Sequence, residues 1–224
     1  MTTKSKTSAA QKKIDDSKIL ESYMNFVLEH HQEPKNVYLF CKELKISESD
    51  FYSYFSSLEA LRADFWVKIF ESTVETLRKD ENFESYSQRE KVLTMYFTMF
   101  ENLTLNRSYV IYTLKDSKKG LGALKELGKM RKLLKEFVTE ILNTQMNASD
   151  KRVQSVIRPA LGEGAWIQFL TILKFWLEDD SKGFEKTDIM IEKSLKASFD
   201  LIDTTPLESI FDLGKFIWNE KFRN

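Results

Sequence analysis

Reactive and turn-forming residues are scarce in this chain of 224 residues. There is one cysteine, Cys41, which excludes an internal disulfide and fits a reducing compartment. Three prolines and seven glycines leave long stretches with neither, so an architecture of many short strands joined by tight turns is excluded. The only two histidines, His30 and His31, are adjacent, and with a lone thiol they supply no ligand set of the usual zinc spacing. Neither G-x-x-x-x-G-K-[ST] nor G-x-G-x-x-G occurs, and "GLGALKELG" lacks the strand that a phosphate-cradling loop needs before it. No catalytic constellation, metal site or cofactor is therefore expected, and the chain reads as something other than an enzyme. Charge of one sign is missing as well. Lys+Arg and Asp+Glu both total 34, so no net field draws the whole molecule to nucleic acid or to an anionic membrane, and attraction must come from local patches. No run approaches the roughly 18 apolar residues of a bilayer-spanning helix, and no apolar leader opens the sequence; a soluble, cytoplasmic protein is expected.

What is abundant is core material, with 42% apolar and 13% aromatic residues. Residues 1–13 hold Lys4, Lys6, Lys12 and Lys13, no acid and few large apolar groups, the composition of a basic arm. Leu20, Tyr23, Met24 and Val27 then recur at helical spacing, and Pro34 ends that helix. Two short helices follow. Asn36 is placed to cap the first, whose Val37, Phe40, Cys41 and Leu44 point inward, and Ser47 with Asp50 forms a capping box at the start of the second, which buries Phe51 and Phe55. Further helices are predicted over 58–79, 88–104, 107–115 and 120–146, the last opened by Gly120 and Gly122, with Pro159, Gly183 and Pro206 punctuating three more. The fold class is all-α with nine or ten helices.

Taken as a unit, "VYLFCKELKISESDFYSYFSSLEALRADFW" resembles the helix-turn-helix of the TetR family of transcriptional regulators: a helix, a tight turn, a short recognition helix ending in Tyr-x-x-Phe, and a following Lys-Glu-x-Leu. The counterparts are Tyr52 and Phe55, then Glu59 and Leu61, with Leu58 in the place of the lysine. The resemblance spans about residues 12–66. It implies an arm over 1–13, a three-helix DNA-binding-type domain over 14–57, and a larger ligand-binding and dimerisation domain over 58–224. It also implies that Glu48, Ser49, Asp50, Tyr52 and Tyr54 face double-stranded DNA, with Asn36, Lys45 and Ser47 at the helix ends and Lys12 and Lys13 in the arm. Family members often carry glycine where Lys45 stands. Between 36 and 64 the basic residues are Lys42, Lys45 and Arg62, against Glu43, Glu48, Asp50, Glu59 and Asp64. That balance opposes binding to a polyanion.

Downstream, "AWIQFLTILKFWL" is apolar at ten of thirteen positions, more than one buried face requires. A homodimer interface is expected through Trp166, Phe169, Leu173 and Trp176, with the small residues Ser194, Ala197 and Ser198 allowing close helix approach. A hydrophobic small-molecule effector is expected among Met95, Tyr96, Met99, Phe100, Tyr109 and Tyr112, whose soft and aromatic side chains suit an apolar ligand. The amphipathic stretch "PLESIFDLGKFIWNEKF" closes the core or meets a membrane surface. Two functional readings stand: a ligand-responsive TetR-type repressor, and a TetR-fold lipid or hydrophobic-ligand protein that has lost DNA binding.

Overall fold

A computed structural model describes residues 14–115, 125–143 and 151–204, which hold nine α-helices and no strand. These are α1 (Asp16–His30), α2 (Val37–Leu44), α3 (Glu48–Tyr52), α4 (Leu58–Lys79), α5 (Gln88–Leu105), α6 (Arg107–Lys115), α7 (Gly128–Asn143), α8 (Lys151–Glu178) and α9 (Glu185–Thr204). The chain divides into two compact units, Met1–Phe65 and Trp66–Asn224, with the boundary inside α4.

In the first unit each helix start is fixed by a side chain that accepts an otherwise unpaired backbone N–H. Asp15 accepts from the Lys18 amide at 2.7 Å, Asn36 from Leu39 at 2.9 Å and Ser47 from Asp50 at 3.0 Å. The core is then built on Phe40 of α2, fully buried along with Ile19, Tyr23, Val27 and Phe51. Tyr23 and Phe51 meet its ring edge-on, with centroids 5.7 and 6.2 Å away, the arrangement that ring quadrupoles favour. Cys41 is 2% exposed. Burial first, then the nearby carboxylates of Glu48 and Asp50, push its thiol pKa up, so it behaves as a small core residue.

The second unit is a helical bundle in which α7 lies against α8 and α9 against α5 and α8. Ser87 and Glu90 form a second capping box at the start of α5, which buries Val92, Met95, Tyr96, Met99, Phe100 and Leu103. Burial of each such side chain contributes roughly 1.5–3 kcal/mol. Gly162 lets α7 and α8 approach closely, since a Cβ there would lie 3.3 Å from Lys135 and Thr139 atoms. At the other end of α8 the turn into α9 is heavily cross-bonded. Asp179 accepts from the amides and hydroxyls of both Ser181 and Thr187 at 2.6–2.9 Å. Arg107 of α6 donates to the carbonyls of Trp176 and Asp179, which end α8, while its guanidinium lies 4.3 Å from the Trp176 and Phe184 ring centroids.

Two boundaries depart from the sequence reading. Pro159 does not open a helix but sits inside α8 as its ninth residue, where it removes one backbone donor without ending the helix. The helix predicted over 120–146 is described as α7 from Gly128; Gly120, Gly122 and the Pro206 segment lie outside the described residues.

Candidate functional site

The α2–α3 element has the local geometry of a helix-turn-helix. Helix α2 ends on Lys45 in the left-handed conformation, φ 58° and ψ 40°, and the Ile46 amide donates back to the Cys41 carbonyl at 3.1 Å. Two residues later Ser47 caps α3. The Asp50 carboxylate completes the box by accepting from the Ser47 amide at 3.1 Å and its hydroxyl at 2.6 Å, and these bonds hold its pKa below the usual carboxylate range.

This geometry sorts the expected DNA-facing residues. Asn36, Lys45, Ser47, Glu48, Ser49, Asp50, Tyr52 and Tyr54 are all exposed. Asn36, Ser47 and Asp50 are engaged in caps, and the Tyr54 hydroxyl donates to the Ile14 carbonyl at 3.0 Å, which ties the end of this element to the start of α1. Glu48, Ser49 and Tyr52, the last 52% exposed, remain as the outward groups of α3. Lys12 and Lys13 lie outside the described residues. Leu58, which replaces the family's lysine, is buried and serves the core. Tyr38 on α2 is exposed as well, and sequence reasoning passed over it although it falls off the inward stripe of Val37, Phe40, Cys41 and Leu44. Over residues 14–65 five basic side chains face ten acidic ones, a stronger acidic excess than in 36–64 alone. In the same unit a wide trough of about 600 Å³ runs along Phe26, Pro34, Leu39 and Phe40, edged by Lys35, Lys42 and Lys45 together with Glu33 and Glu43.

In the second unit most of the residues expected to line an effector cavity are buried. Met95, Tyr96, Met99, Phe100 and Tyr109 are buried, and the Tyr96 hydroxyl donates to the Ala165 carbonyl at 2.8 Å, with desolvation pushing its pKa far up. None of the six, Tyr112 included, lines a half-open space of about 200 Å³ between α5, α7, α8 and α9 that is bounded by Val92, Val138, Leu142, Gly164, Gln168 and Ser198 among others. The expected dimer residues divide in the same way. Phe169 and Trp176 are 0% exposed, and Trp166 and Leu173 are buried too, so all four face their own core. Ser194 accepts from Gln168 at 3.1 Å within the chain. The outward apolar side chains of these helices are Ile167, 62% exposed, and Phe175 on α8, with Ile189 and Leu201 on α9.

Among the described residues no group of three or more His, Cys, Asp or Glu side chains is placed to hold a metal, and no helix is long and apolar enough to cross a membrane. An all-helical chain with a capped helix-turn-helix ahead of a larger helical bundle has the build of a helix-turn-helix regulator. The family model described as "Tetracyclin repressor-like, C-terminal domain" matches residues 91–217, more than half of the chain, and the protein belongs to this family of transcriptional regulators, which are not enzymes. The chain is also similar to the solved structure of the fatty acid degradation regulator FadR from Bacillus halodurans, at 17% identity and a TM-score of 0.45, over 83% of this chain and 95% of that one. Among curated proteins no sequence matches.

Proposed function

We propose that this TetR-family protein is a ligand-responsive DNA-binding repressor that acts as a homodimer and responds to a hydrophobic small molecule. The observation that carries the reading is α3: its capping box fixes the helix, and Glu48, Ser49 and Tyr52 stand outward from it with side chains not used in caps. A short helix held this way can present such groups to base edges, with Glu48 suited to accept from a cytosine amino group. The acidic unit supplies little phosphate neutralisation, so Lys4, Lys6, Lys12 and Lys13 of the arm carry that role. Self-association uses the exposed Ile167 and Phe175 of α8 with the Ala197 region of α9, and a two-fold dimer would present two recognition helices to a palindromic site.

The excess of ten acidic over five basic side chains in residues 14–65 favours a second reading, a lipid or hydrophobic-ligand protein that no longer binds DNA, with Pro206–Phe222 at a membrane surface. Selection of bound duplexes from a random pool at near-physiological salt separates the two. Enrichment of a palindrome is expected for the repressor; no enrichment, with lipid recovered from the same purified protein, would establish the second reading.

A further inference from the structure

The space of about 200 Å³ between α5, α7, α8 and α9 differs from the surrounding core in three ways. First, one wall is missing a side chain: Gly164 of α8 borders the space, and a Cβ built there meets nothing within 4 Å. Second, none of the thirteen described lining residues carries a charge. Third, its polar side chains are few, Gln168 of α8 and Ser198 of α9; the Gln168 amide nitrogen donates to Ser194 Oγ, which leaves the amide carbonyl as an acceptor. Val92, Val138 and Leu142 make the rest apolar.

We propose that this cavity binds a small, uncharged, slender aliphatic molecule with a hydrogen-bond donor at one end, such as a medium-chain alcohol or amide, with the chain against Val92, Val138 and Leu142 and the donor on Gln168. Size and charge both select this occupant. An apolar cavity of about 150 Å³ holds benzene, about 25 Å³ per heavy atom, so the space takes roughly eight heavy atoms, as many as 1-heptanol has. A carboxylate or ammonium end placed against Gln168 would meet no countercharge among the described lining residues. That the ligand acts as the effector rests on the repressor reading above; that it binds does not.

The test is isothermal titration of the full-length protein with 1-heptanol and with heptanoate at neutral pH. Saturable binding of 1-heptanol, one per chain, is expected, with heptanoate weaker by about tenfold or more, the ratio that corresponds to 1.4 kcal/mol. Gly164→Leu should fill the space, keep the helical circular dichroism and melting temperature, and weaken 1-heptanol by about tenfold or more. Gln168→Met, which keeps the side-chain shape, should erase the preference for 1-heptanol over 1-methoxyhexane even where the leucine variant fails to fold. Heptanoate binding as tightly as the alcohol, no saturable alcohol binding, or binding indifferent to both substitutions overturns the proposal. So does a Gly164→Leu protein that melts lower or dissociates while the wild type binds nothing, because the space would then belong to another part of the chain or to a second copy. Saturable, Gly164-dependent binding that leaves the affinity for a selected duplex unchanged supports the cavity assignment and removes only its link to repression.

Discussion

Lys45 holds a conformation, φ 58°, that places the Cβ of an L-residue against its own backbone at a cost of roughly 1–2 kcal/mol. The turn needs that conformation because it sends the chain from α2 into α3 within three residues. Glycine would adopt it freely but also gains freedom in the unfolded chain, which offsets part of the benefit. Lys45→Gly is therefore expected to stabilise the protein by about 0.5–1 kcal/mol, seen as a higher urea midpoint at unchanged slope. The Ser47–Asp50 box and the inward set of α2 were legible in the sequence because each follows from chemistry within four positions, whereas the turn at Lys45 was suggested only by the family resemblance, whose members often carry glycine there. The packing of Met95, Tyr96 and Met99 was not legible. A soft or aromatic side chain looks the same in sequence whether it lines a space or fills one, and only the approach of Ala165, to which Tyr96 is bonded, decides it.

At the scale of elements, the α8–α9 turn shows how a charge can be held in a nearly dry place. Desolvation alone would raise the pKa of Asp179, which is 8% exposed, but hydrogen bonds from Ser181 and Thr187 hold it down to about 2. The folded pKa thus lies below the unfolded value of about 3.9, so the contribution is complete at higher pH and is lost as pH falls from about 4 through 2. Asp179→Asn is expected to cost about 2 kcal/mol at pH 7, with the gap to wild type closing below pH 4 in urea titrations run across pH. Helix α8 also marks a limit of periodicity. A helix apolar on most sides does not declare which side meets its own chain, and the sequence reading assigned Phe169 and Trp176 to a partner where they fill the core beside Phe100. Pro159 was misread for a related reason: proline is a strong stop signal, yet α8 continues past it with one fewer hydrogen bond.

For the whole molecule, the proposed dimer predicts a sedimenting mass of twice 26.3 kDa at micromolar concentration. Ile167→Glu is expected to give a folded monomer, because that side chain is already 62% exposed. Phe169→Glu should instead unfold the second unit, since it buries an unpaired charge in the core. A variant Ile167→Glu that still sediments as a dimer would place the interface elsewhere.

Cys41 turns the first unit into a reporter on itself. As the one thiol in 224 residues, buried at 2% exposure against the core around Phe40, it reacts with a bulky thiol reagent only when that unit opens. With reagent scarce enough that reclosing outruns modification, the labelling rate reads the free energy of that opening. A duplex that binds α3 should slow the rate in proportion to its saturation, because only the closed unit can hold it. The operator search could then be followed with a colorimetric thiol assay on the unmodified wild-type chain.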